Sequence, residues 1–175
     1  MTYPYFESHG VGDFLLMLLG YSAQIFADFA GYSLIAIGVA ALLGYELPIN
    51  FRYPYVSTSI REFWKRWHIT LSEFLMEYLY IPMGGSRKGK VRTYFNLFMT
   101  MTIGGLWHGA RLNYIVWGMF NGFRLMIEIF SCGKRQLLID IKCFPNLSKL
   151  LSMGLVFTLV SLGWLLFVLP DLYGC

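Results

Sequence analysis

Charge is what this sequence has least of: 14% of its 175 residues are Asp, Glu, Lys or Arg, against about 25% in a soluble globular domain. A chain so poor in charge, and 57% hydrophobic, has too little polar surface for a water-exposed fold and belongs with membrane proteins. Cysteine is scarce as well. Cys132, Cys143 and Cys175 are too few and too far apart for a disulfide framework or a metal site, so they read as incidental thiols. Residues 1–12 contain no Lys or Arg, which excludes the basic opening of a secretory signal peptide. No linker, internal repeat or low-complexity tract divides the chain. It holds no soluble domain and is bounded by long apolar runs, so a fragment of a longer polytopic protein is expected.

What is abundant is apolar sequence. A helical bilayer span needs roughly 20 predominantly apolar residues. Residues 14–45 carry Asp28 as their only charge and are too many for one straight span. Two short spans meeting near Gly31, or one tilted helix broken there, are expected, because glycine gives the backbone that freedom. The uncharged run 93–110 and the run 112–130 follow, separated by Arg111. Arg124 and Glu128 stand at i, i+4 spacing within the second and suit an ion pair on one helix face. Residues 150–170 form the cleanest span. Asp28 is expected to pair with a basic residue elsewhere in the bundle.

The net charge of +4 does not point to nucleic acid, because the basic residues sit in short clusters between apolar runs. Such clusters mark the cytoplasmic ends of membrane spans. Arg52, Arg61, Lys65 and Arg66 form the first; Arg87, Lys88, Lys90 and Arg92 the second; Lys134, Arg135, Lys142 and Lys149 the third. Two crossings separate the second from the third, and none fits between the first and the second. The segment 57–83 is therefore expected to dip into the membrane and return, or to lie in the interface. Read as a helix, Trp64, His68, Leu71, Leu75 and Tyr78 share one face, and Glu62, Arg66, Thr70, Glu73 and Glu77 another. That amphipathic pattern suits an interface or a cavity wall.

Chemistry concentrates on two of the three histidines. His108 ends an apolar run within Gly104-Gly105-Leu106-Trp107-His108-Gly109-Ala110, where an ionisable side chain normally faces a cavity or a partner rather than lipid. His68 reaches the same depth if its segment is re-entrant. Imidazole is the side chain best suited to proton transfer near neutral pH, and desolvation favours its neutral, basic form. The plain alternative for each is a structural hydrogen bond to a neighbouring helix. His9 lies in a polar stretch and reads as solvated. Gly84 to Lys90 matches the glycine and lysine spacing of a phosphate-binding loop, but Val91 stands where a magnesium-holding Ser or Thr is needed, and no βαβ context surrounds it. It reads as a basic cytoplasmic turn.

Three ordered stretches now carry a resemblance. Phe63-Trp64-Lys65-Arg66-Trp67-His68-Ile69-Thr70-Leu71-Ser72, then Tyr78-Leu79-Tyr80-Ile81-Pro82-Met83-Gly84-Gly85, then the stretch around His108 resemble the membrane-bound O-acyltransferase (MBOAT) family, in its alginate O-acetyltransferase-like branch. Gln24-Ile25-Phe26-Ala27-Asp28-Phe29-Ala30-Gly31-Tyr32-Ser33 and Pro48-Ile49-Asn50-Phe51 match that branch too. The chain departs from it at Met76-Glu77, at Arg111-Leu112-Asn113, at Asn121 and at Val168. The resemblance implies an all-α, polytopic transmembrane bundle with a re-entrant amphipathic segment, the whole chain forming one partial catalytic segment. It implies a tunnel in which an acyl donor and an acceptor approach from opposite sides. It makes His108 the catalytic histidine and His68 a second active-site position.

The expected reaction is transfer of an acyl group, most simply acetyl, to a hydroxyl of a cell-envelope polysaccharide such as alginate. Alternatives on the same fold are D-alanyl or acetyl transfer to teichoic acid or peptidoglycan. From another class, a transporter or non-catalytic membrane subunit built on Asp28 and Arg124 would explain the intramembrane charges but not the two histidine motifs. No tightly bound cofactor and no metal are implied, and the donor is expected to be a thioester such as acetyl-CoA or an acyl carrier. The expected partners are the lipid bilayer, the polysaccharide acceptor and envelope-modification proteins, without nucleic acid, at the bacterial cytoplasmic (inner) membrane. Family members are more than twice this length, so activity of the chain alone is not expected. The orientation is testable by cysteine labelling: single cysteines placed in 87–92 or 134–149 should react only from the cytoplasmic side. Labelling of either segment only from outside would reverse it.

Overall fold

The computed structural model describes residues 10–138 and 145–168. His9, Lys142, Cys143 and Cys175 lie outside the described residues, as do the side chains of Cys132, Lys134, Arg135 and Val168. Among the described residues the chain is helical, with one antiparallel bridge between Phe51 and Trp67 and no strand. Long apolar runs favour this outcome, since a helix satisfies its backbone polar groups within the segment.

The first helix, α1, runs unbroken from Val11 to Leu42. The break expected at Gly31 does not occur. A Cβ built on Gly31 would meet nothing within 4 Å, so no neighbour diverts the chain there and the helical hydrogen bonds continue through it. At 1.5 Å per residue α1 is about 48 Å long, well over the roughly 30 Å of a bilayer's hydrocarbon core. Asp28 stands exposed on α1 and forms no ion pair among the described residues. The last helix, α6, covers Pro145–Val168. It packs on α1 through buried hydroxyls, Ser22 donating to the Ser161 oxygen at 2.8 Å; the half-buried Tyr55, from the connection after α1, donates its hydroxyl to the Ser22 carbonyl at 2.6 Å. Two helices, Val11–Leu42 and Asn146–Phe167, are long and apolar enough to cross a membrane.

The segment expected as one amphipathic helix is broken instead. It consists of α2 (Ile60–Trp64), α3 (Ile69–Leu75) and one π-helical turn, Met76–Tyr80, before a run of turns leads into α4 (Lys90–Trp107). A four-residue link then joins α4 to α5 (Leu112–Leu138). These two helices lie antiparallel with their backbones in close approach. A Cβ on Gly118 would collide with the Met101 carbonyl oxygen and lie 2.9 Å from the Thr102 Cα; one on Gly105 would collide with the Tyr114 carbonyl oxygen. Gly118 and Gly122 form a small-xxx-small step of the kind that lets membrane helices pack closely.

The expected Arg124–Glu128 pair is not formed. Arg124 donates to Asn121 Oδ1 at 3.2 Å and lies 5.0 Å over the Phe120 ring. Glu128 turns to α2 and accepts from the Ile60 N–H at 2.6 Å and the Arg61 N–H at 3.3 Å. The opening N–H groups of a helix have no partner of their own, and they hold the carboxylate in place of the guanidinium. The glycine seam yields a test. Gly118→Ala should destabilise the purified protein by about 1–3 kcal/mol through overpacking. Gly31→Ala, in open space, should be neutral or stabilising by up to about 1 kcal/mol. Thermal unfolding in detergent reads both, and equal melting temperatures for the two variants would contradict this packing.

Candidate active site

The conformation around His68 is set by the hydrogen bonds on either side of it. Ser59 caps α2 by accepting from the Glu62 N–H at 3.0 Å. The Glu62 carboxylate accepts from the Thr58 N–H at 2.7 Å and from Arg66 at 2.7 Å. After α2 the chain forms the bridge to residues 50–52: the Arg52 N–H donates to the Arg66 carbonyl and the Ile69 N–H to the Asn50 carbonyl, both at 3.0 Å. Between these anchors His68 adopts φ 45°, ψ 56°, a left-handed conformation that costs a non-glycine residue about 1–3 kcal/mol. The helix then restarts as α3.

His108 follows the last residue of α4, its N–H donating to the Gly105 carbonyl at 3.1 Å. Its imidazole sits among rings from two further helices: Trp117 of α5 at 5.3 Å and Phe167 of α6 at 5.5 Å, both edge-on, and Tyr114 at 6.3 Å. His68 packs edge-on against Phe29 of α1 at 4.7 Å. Trp107 touches both imidazoles, 6.0 Å from His68 and 5.2 Å from His108.

Both histidines line one cavity of about 1300 Å³. Its walls are largely aromatic and aliphatic, and the exposed Arg61, Lys65 and Lys90 line it as well. Among the described residues no carboxylate and no cysteine lines it. The lining serine and threonine hydroxyls are engaged elsewhere: Ser72 with the Trp67 carbonyl, Thr93 with Gly89, Thr100 with Asn96 and Ser86 with Tyr80. None bonds a histidine, so no Ser–His nucleophile pair of the covalent type is assembled here. The arrangement suits proton transfer to or from a bound reactant by imidazole.

The structure thus brings His68 and His108 to one cavity, with Trp64, Leu71 and Leu75 of the predicted apolar face. Tyr78 of that face is exposed and lies outside the cavity, because the π turn rotates it away. Ser86, Gly89 and Lys90 of the phosphate-loop-like stretch also line the cavity, with no strand before them. Sequence reasoning assigned no role to Asn50 and paired Glu128 wrongly. Both act on residues far away along the chain, and no local spacing announces such contacts.

Comparison with known proteins agrees with this picture. The profile of the membrane-bound O-acyltransferase family, MBOAT, matches residues 6–138. The chain is 46% identical over 162 residues to a protein named probable alginate O-acetylase AlgI of Pseudomonas syringae pv. tomato, covering 93% of this chain and 30% of that protein. It is 46% identical over 156 residues to the protein of the same name from Pseudomonas aeruginosa, covering 89% and 28%. It is 42% identical over 150 residues to the peptidoglycan O-acetyltransferase of Helicobacter pylori, covering 85% and 27%. The chain therefore spans about 30% of the length of the curated relatives it matches.

The anchoring of α2 generates a prediction. Glu128→Ala leaves two opening N–H groups of α2 without their acceptor and should cost about 1–3 kcal/mol. Glu128→Gln keeps an acceptor oxygen and should lose less. Thermal unfolding of the two variants measures the difference, and an unchanged melting temperature in Glu128→Ala would refute the anchor.

Proposed function

Because this chain belongs to the membrane-bound O-acyltransferase family, we propose that it carries the acyl-transfer centre of an enzyme that acylates a hydroxyl of a cell-envelope polysaccharide such as alginate, most simply with acetyl. The observation that carries this reading is the pair of histidines in one largely apolar cavity free of any acid or thiol among its described lining residues. His108 acts as general base. It takes the proton of the acceptor hydroxyl while that oxygen bonds to the carbonyl carbon of a thioester. The carbon–sulfur bond then breaks, and the leaving thiolate receives the proton from the imidazolium. His68 orients the acceptor or stabilises the oxyanion. An acetyl-CoA or carrier-bound donor bears phosphate, and the exposed Arg61, Lys65 and Lys90 in the cavity lining support its approach from their side.

The same reading gives the membrane arrangement. α1, α4, α5 and α6 cross the bacterial inner membrane, and 57–83 enters it and returns. What supports the return is that Arg61 and Lys65, near the start of the segment, and Lys90, after its end, line one cavity. Acetyl transfer to peptidoglycan is the second reading, supported by the Helicobacter pylori relative. The transporter reading gains no such support, since Asp28 and Arg124 line no common cavity among the described residues.

The test uses the complete reading frame that carries this chain, expressed in membranes, with acyl transfer to isolated polysaccharide as the readout. His108→Ala should lower turnover by about 10²–10⁴-fold, the usual contribution of general-base help, with insertion and expression intact. His108→Gln should fail alike, because an amide hydrogen-bonds but does not take up the proton. His68→Ala should lose less, and the double variant should be little worse than His108→Ala, since groups acting as a unit are non-additive. Near-normal transfer by His108→Gln would sink the catalytic assignment.

A further inference from the structure

We infer that Asn50 is a positioning residue of this centre: its side-chain carbonyl caps α3 from outside the helix and so frees the His68 imidazole for the cavity. A helix usually begins with Ser, Thr, Asp or Asn, whose own side-chain oxygen accepts from the second or third N–H of the helix. In α3 that starting position is His68, and it makes no such bond. Asn50 supplies what is missing from 20 residues away along the chain. Its Oδ1 accepts from the Thr70 hydroxyl at 2.6 Å and lies 3.4 Å from the Thr70 N–H, the second of the helix. Its main-chain carbonyl accepts from the Ile69 N–H, the first, at 3.0 Å. One residue thus serves both opening donors of α3. Its Nδ2 donates to the buried Ser33 of α1 at 3.4 Å, which ties the cap to the long helix.

The consequence falls on His68. An ordinary capping side chain folds back over its own helix, whereas this imidazole lines the cavity. Among the described residues no hydrogen bond of its own holds it, and its buried Nδ1 has no partner there. What aims the ring is the left-handed backbone, φ 45°, together with the edge-on contact to Phe29. A residue at the start of a helix normally takes extended backbone angles. If the Asn50 amide releases Thr70, His68 relaxes toward that conformation and its ring is re-aimed, while His108, held by rings of α5 and α6, stays in place.

The proposal rests on the functional reading above for its activity arm alone. The protein is labelled with ¹³C-histidine, reconstituted in nanodiscs, and the His68 and His108 imidazole signals are assigned by their loss in His68→Gln and His108→Gln. Asn50→Ala and Thr70→Val should move the His68 signal and leave that of His108. Asn50→Asp, which keeps the acceptor oxygen, and Thr70→Ser, which keeps the hydroxyl, should leave both unmoved. In the transfer assay Asn50→Ala should lower kcat by up to about 10²-fold at unchanged KM, as misplacement of a reacting group by about 1 Å can, with Asn50→Asp restoring it. An unmoved His68 signal in Asn50→Ala and Thr70→Val overturns the inference. So does joint movement of both signals, which marks a general structural role. Where Asn50→Ala does not fold, the Thr70→Val and Thr70→Ser pair decides. Absence of any acyl transfer by the unaltered protein would fail the functional reading alone, since the histidine signals judge the capping independently.

Discussion

The indole of Trp67 is enclosed by rings from four parts of the chain: Phe26 of α1 at 6.2 Å, Phe51 at 5.0 Å, Phe63 of α2 stacked at 5.6 Å, and Trp164 of α6 at 4.9 Å. The first helix, the last helix and the broken segment between them all meet on this residue, which is 4% exposed. A buried side chain of this size is stabilised by the many close contacts its rings make, each worth about 0.1–0.2 kcal/mol. The left-handed turn at His68, its neighbour, costs about 1–3 kcal/mol. The helix breaks next to Trp67, where these ring contacts pin the chain. The break in turn sets where the cavity lies, because Trp64, His68 and Leu71 flank it.

A second constraint holds the other imidazole. His108 emerges at the end of α4, and α4 is placed by backbone contact with α5 across Gly105 and Gly118. Small residues are what such an approach requires where packing replaces the hydrophobic drive between helices. The close seam brings Trp117 and Tyr114 to the His108 ring, and α6 adds Phe167. The proposed base is therefore held by shape, with no carboxylate beside it among the described residues. A general base oriented by rings keeps both nitrogens available to reactants.

Charges sort by the same logic. Arg61, Lys65 and Lys90 stay exposed, where a long side chain keeps its head in water. Arg124 is buried at 7% exposure, holding Asn121 and the Phe120 face, while Glu128 serves α2. Left without this acceptor, the part-buried start of α2 would lose about 1–3 kcal/mol. The carboxylate therefore turns to the backbone.

The helical character of the chain, the position of its apolar runs and its family were legible without coordinates. Apolar runs of 18 or more residues and an ordered set of motifs are local properties, and helices satisfy their backbone locally. The face pattern Trp64, His68, Leu71, Leu75 was legible for the same reason, and all four residues line the cavity. Tyr78 fell outside because periodicity assumes one uninterrupted helix, and the π turn at Met76–Tyr80 adds a residue to the count. Only the tertiary structure decided that α1 continues through Gly31, that Glu128 serves residues 68 positions away, and that Asn50 caps α3. Spacing along a helix reports neighbours within about four residues. The partners of a cap or a carboxylate are chosen by whatever the folded chain brings within 3 Å, and that distance is set by Trp67 and the glycine seam.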